Sequence, residues 1–148
     1  MRRVEAGITI TAPPEQVFAF VADLANLPRW QSGIVSAERT SPDPVGVGST
    51  ARVVRDMAGQ SLTVDLTITE FVPGRRLALA SQASGVNVTA TLEMDPTDDG
   101  TVVRSGIEIK AGSLFMAPLE GMIANAAAGE LASGLERLRD AVEAAEGG

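Results

Sequence analysis

The sequence predicts an α+β fold: a curved antiparallel sheet of six to seven strands gripping one long C-terminal helix, with two short helices after the first strand. Three observations lead there. Several segments alternate apolar and polar residues, most clearly Leu62, Val64, Leu66 and Ile68 against Thr63, Asp65, Thr67 and Thr69. Hairpin-length turns separate these segments, so neighbouring strands run antiparallel. The last quarter, Ser113 to Glu146, repeats at helical spacing instead, with Ala127, Leu131, Leu135, Leu138 and Val142 on one stripe. Each strand has one apolar face, and that helix is the only large apolar partner available to cover it.

Taken in order, Val4, Ala6, Ile8 and Ile10 alternate with Glu5, Gly7, Thr9 and Thr11 as a half-buried strand. Ala12-Pro13-Pro14 ends it. Pro14 suits the first position of a helix, where its missing N–H would be unpaired anyway. Glu15 suits the positive end of that helix. Val17, Phe18, Val21 and Leu24 follow at helical spacing, and Asp23 to Pro28 reads as a second short helix or a turn reaching Arg29-Trp30. Ile34 to Arg39 is a short strand. Ser41 to Gly48, with two prolines and two glycines, is a loop. Thr50 to Met57 is a strand whose facing the pattern leaves open. Ala58-Gly59 and Pro73-Gly74 are turns around the strand carrying Leu62 to Thr69, and Arg76 to Ser81 is the next strand. Val86, Val88, Ala90, Leu92 and Met94 form another, closed by the hairpin turn Asp98-Asp99-Gly100. Thr101 to Lys110 is the last strand. Ala111-Gly112-Ser113 leads into the long helix, with Ser113 placed to cap it.

The long helix changes character along its length. Leu131, Leu135, Leu138 and Val142 are large and read as solid core. Met116, Ile123, Ala124 and Ala127 precede them, with Gly121, Gly129 and Gly134 around the helix. Alanine cannot span a layer that leucine fills, so a cavity is expected against the first half.

The 148 residues suit a single domain, 1–148, without repeat or linker, and 45% apolar residues can form a core. The net charge of −7 argues against nucleic acid, since phosphate binding needs a basic face. Cysteine, histidine and tyrosine are absent. That removes thiol nucleophiles, the neutral-pH proton shuttle and the commonest zinc ligands. No metal and no cofactor are expected, and Asp95, Asp98 and Asp99 fit a turn better than a calcium loop. No secretory signal is visible, and no apolar run approaches the roughly 20 residues that span a bilayer. A cytoplasmic monomer or homodimer is the plain expectation.

Ala12-Pro13-Pro14-Glu15-Gln16-Val17-Phe18 through Leu27-Pro28-Arg29-Trp30, then Thr69-Glu70-Phe71-Val72-Pro73-Gly74-Arg75-Arg76-Leu77 and Asp99-Gly100-Thr101, resemble the START-like, helix-grip (SRPBCC) superfamily. The polyketide cyclase/dehydrase and lipid-transport branch is the nearest likeness, and it covers nearly the whole chain. The resemblance implies binding of apolar or amphipathic small molecules between sheet and helix, with enzymes among the members. Its aromatases and cyclases use polar pocket residues, including Arg and Tyr, and this chain has no Tyr.

Three functions follow as expectations. The first is a binding module for a lipid, polyketide or aromatic metabolite. Its site would be lined by Trp30, Leu79, Ser81, Val88, Ala90, Val103, Ser105, Met116, Glu120, Ile123, Ala124 and Ala127. The second is a cyclase/dehydrase-type enzyme in which Glu120, its pKa raised in an apolar pocket, works with Arg55. The third is an interaction scaffold with a filled core. Each candidate has a plainer reading. Pro118 would turn Glu120 outward or make it a first-turn charge. Trp30 would cap the core where the short helices meet the sheet. Ser81 and Ser105 would bond to nearby backbone. Arg55 sits on the strand of open facing, and Glu130 reads as a solvated flank.

Overall fold

The computed structural model describes residues 2–147, apart from 32, 43, 58, 84 and 114–116. The elements are β1 (Arg2–Ile10), α1 (Pro14–Ala22), a single 3-10 turn (Leu24–Asn26), α2 (Leu27–Trp30), β2 (Ile34–Arg39), β3 (Thr50–Met57), β4 (Gln60–Val72), β5 (Arg76–Ala83), β6 (Val86–Pro96), β7 (Thr101–Ala111) and α3 (Ala117–Gly147). The seven strands form one sheet in the order β1-β7-β6-β5-β4-β3-β2. Every neighbouring pair is antiparallel. Only the β1–β7 pairing joins strands distant in sequence, because the two short helices separate β1 from the meander.

Local chemistry accounts for the connections. Pro14 opens α1 and Glu15 lies in its first turn, while Val17, Phe18, Val21 and Ala22 face inward. The Phe18 ring meets Phe71 of β4 edge-on, with ring centres 5.1 Å apart. The Asp23 carboxylate accepts from the Ala25 N–H at 3.2 Å and starts the 3-10 turn, so the segment expected as a helix or a turn is a turn followed by α2. Between β4 and β5, Arg75 N donates to Val72 O at 2.9 Å across Pro73-Gly74, and Gly74 has φ 74°. A proline followed by a positive-φ glycine is what a type II turn demands.

The core lies between the sheet and the helices. Leu135, Leu138 and Val142 are buried with Ile10, Val17, Leu24, Ile68 and Met94 in one large cluster. A smaller cluster joins Ala124 of α3 to Val86 and Ile109 of β6 and β7. Along its length α3 lies closest to β1, β7 and α2. Thr11 N donates to the Glu143 carboxylate at 2.9 Å, which ties the C-terminal half of the helix to the end of β1.

One expectation about the start of α3 is corrected and another is met. Ser113 stands in a bend ahead of the helix rather than capping it. Pro118 lies in the first turn of α3, where it removes no intrahelical hydrogen bond, and Glu120 is the first-turn charge that the plainer reading expects. Among the described residues, no helix is long and apolar enough to cross a membrane, and no group of His, Cys, Asp or Glu is placed to hold a metal ion.

Candidate functional site

Strand alternation sends Leu79 and Ser81, Val88, Ala90 and Leu92, and Ser105 and Ile107 to the face under α3. Register then stacks them across the sheet: Leu66 opposite Ser81 and Ser81 opposite Val88, Leu79 opposite Ala90 and Ala90 opposite Ile107. Ile123, Ala126, Ala127, Glu130, Leu131 and Gly134 of α3 and Leu27 and Trp30 of α2 close the other side. Between them is a cavity of about 150 Å³ with predominantly apolar walls. It lies beyond β1 and β7, on which α3 rests, where Ala127 is too short to fill the space between helix and sheet. Protein interiors otherwise leave few such gaps.

Trp30 is 3% exposed and forms part of the cavity wall. A Cβ on Gly134 would lie 3.1 Å from the Trp30 carbonyl oxygen, so the glycine lets α2 and α3 approach closely. Trp30 therefore takes both expected places, in the cavity wall and at the junction of the short helices with the core. Its indole Nε1 is buried and makes no hydrogen bond among the described residues.

One ion pair sits in the wall. Arg55 Nη1 donates to Glu130 Oε2 at 3.0 Å, and Arg55 Nη2 donates to Gln31 Oε1 at 3.4 Å. The two charged side chains are 26% and 34% exposed. Register resolves the open facing of β3. Ala51 and Val53 are buried, and Arg55 lies on their side of the strand. Gly33 makes room for the pair, since a Cβ there would fall 2.6 Å from Glu130 Oε1. The hydroxyls of Ser81 and Ser105 also belong to the wall. Neither makes a hydrogen bond to protein among the described residues, so the expected backbone partners are not present there.

The structure brings together Trp30, Arg55, Leu79, Ser81, Val88, Ala90, Ser105, Ile123 and Ala127 from the sequence candidates. It places others elsewhere. Glu120 is 8% exposed in the first turn of α3 and accepts from Ala111 N at 2.9 Å. Hydrogen bonding, that of the Ala111 N–H included, holds its carboxyl below the usual carboxylate range, opposite to the rise expected of a pocket acid. Ala124 packs with Val86 and Ile109, so its small side chain marks a close approach of helix to sheet rather than a vacancy. Val103 is fully buried in the main cluster, between Ile8 of β1 and Met94 of β6. Met116 lies outside the described residues.

Two assignments move the other way. Leu131, expected as solid core, forms part of the cavity wall. Glu130, expected as a solvated flank, is the partner of Arg55. Gln31, Leu66, Leu92 and Ile107 are wall residues that the sequence reading misses. Leu92 and Ile107 carry a usable signal, because each lies two positions along the same strand face from a candidate, Ala90 and Ser105.

A family model described as polyketide cyclase / dehydrase and lipid transport matches residues 1–143. No curated protein matches the chain. Among solved structures, a protein of Thermus thermophilus is 22% identical with a TM-score of 0.80, covering 97% of this chain and 99% of its own. The di-domain ARO/CYC BexL of the BE-7585A biosynthetic pathway is 23% identical with a TM-score of 0.76, covering 97% of this chain and 47% of its own. A START superfamily protein of Mycobacterium smegmatis is 15% identical with a TM-score of 0.76, covering 95% and 97%. At these identities the likeness establishes the fold.

Proposed function

The chain belongs to the polyketide cyclase / dehydrase and lipid transport family, and on that premise we propose that it is a binding protein. It holds an apolar or amphipathic small molecule (a lipid, polyketide or aromatic metabolite) between its sheet and α3. One observation carries this reading: between the sheet and α3 lies an apolar cavity lined also by Ser81 and Ser105, whose hydroxyls are unpaired among the described residues. A pocket with apolar walls and a few polar groups is the usual form of a small-molecule site. A filled core would suit an interaction scaffold, and the cavity weighs against that alternative.

The chain has a single tryptophan, and it sits in the wall. Titration with uncharged apolar compounds, from one aromatic ring to a long-chain alcohol, is expected to change its emission and to raise the melting temperature. If no compound in such a series does either, the binding reading fails.

Arg55 and Glu130 favour a second reading. A guanidinium and a carboxylate in an apolar wall can polarise a ligand carbonyl and exchange a proton with it. The protein would then be a cyclase/dehydrase-type enzyme, with Glu130 as the carboxylate in place of Glu120. Loss of turnover in Glu130→Gln with ligand binding retained would support it.

A further inference from the structure

We infer that the molecule this cavity is built to hold is uncharged, about one ring in size, and carries a hydrogen-bonding oxygen. The inference rests on the binding reading and narrows its ligand class. Size comes first. The cavity measures about 150 Å³, a volume that elsewhere accommodates benzene, whereas sites for drug-sized ligands run from roughly 300 Å³ upward.

Charge comes second. Arg55 and Glu130 are the charged residues of the wall among the described residues, and they neutralise each other at 3.0 Å. The second guanidinium nitrogen is engaged by Gln31 at 3.4 Å. An ionic ligand would shed its water against Leu79, Leu92 and Ile107 and find no free counter-charge, which is costly. The net charge of −7 opposes anions further.

The oxygen comes third. Ser81 and Ser105 line the cavity, and their hydroxyls have no protein partner among the described residues. Each can donate to a carbonyl or accept from a hydroxyl. A pure hydrocarbon would cover them and leave them unsatisfied.

Three nearly isosteric probes separate these properties: acetophenone, α-methylstyrene and benzoate. Binding is read from the emission of Trp30 and by calorimetry. Wild type should bind acetophenone about tenfold more tightly than α-methylstyrene, the worth of one satisfied buried hydroxyl. Benzoate should bind at least about a hundredfold more weakly than acetophenone. Glu130→Gln frees Arg55 and should shift the benzoate-to-acetophenone ratio at least about tenfold toward benzoate. Benzoate binding wild type as well as acetophenone does would overturn the inference, as would equal binding of acetophenone and α-methylstyrene. If only the larger apolar compounds bind, the size argument fails and the binding reading stands. If nothing binds, both fail. The wild-type ranking decides the matter even where Glu130→Gln is too unstable to assay.

Discussion

Arg55 of β3 and Glu130 of α3, 75 positions apart in the chain, meet at 3.0 Å in the wall of an otherwise apolar cavity. The contact bridges sheet and helix across the cavity wall. Both groups keep partial exposure, so the pair ranks between a screened surface bridge and a buried one. Arg55→Met is expected to cost about 1–2 kcal/mol, because it leaves a carboxylate facing apolar walls. The double variant Arg55→Met/Glu130→Leu should lose less than the sum of the two single changes. Urea unfolding of the three variants checks this, and strict additivity would show that the two groups do not interact.

Gly33 tests the same contact from a third side. A Cβ there would come within 2.6 Å of Glu130 Oε1, and the carboxylate is the flexible end, so it will move. Gly33→Ala should weaken the Arg55 pair and destabilise the protein by about 1 kcal/mol. In a Glu130→Ala background the same change should cost almost nothing. An equal cost in both backgrounds would mean that Gly33 matters for its backbone alone.

Ala124 and Ala127 stand one turn apart on α3 and face different surroundings. Ala127 borders the cavity and packs at the edge of the cluster of Val86, Ile109 and Ala124, whereas Ala124 is buried within that cluster. Ala127→Phe should abolish ligand uptake and leave the melting temperature within a few degrees of wild type. Ala124→Phe should instead overpack, costing about 1–3 kcal/mol. Thermal melts with a one-ring probe distinguish them, and identical behaviour would place both alanines in the same environment.

Leu135 is 1% exposed within the main cluster. Leu135→Ala removes a side chain that the surroundings cannot replace, and should cost about 2–5 kcal/mol. A loss below about 1 kcal/mol in denaturant unfolding would show that the cavity extends past Gly134.

The sequence by itself determined the elements and the antiparallel pairing of strands joined by short turns, while the pairing of β1 with β7 came from the tertiary structure. Alternation at a period of two, helical spacing from Ile123 onward and the turn residues Pro73-Gly74 and Asp98-Asp99-Gly100 are local signals that act within a few residues. They lead to an antiparallel sheet under one long helix, and to most of the strand residues that wall the cavity. Tertiary structure alone decided where along α3 the space opens and which charges meet in it. An alanine reaches the same short distance anywhere. Whether that reach ends wholly on neighbours, as at Ala124, or partly at a void, as at Ala127, depends on the separation of helix and sheet. That separation is set by seven strands together and by where α3 rests on β1 and β7. The partners of Glu120 and Glu130 are invisible to a helical repeat for the same reason. The first is drawn to the Ala111 N–H at the end of β7, and the second to a guanidinium on a strand whose facing only its neighbours could fix.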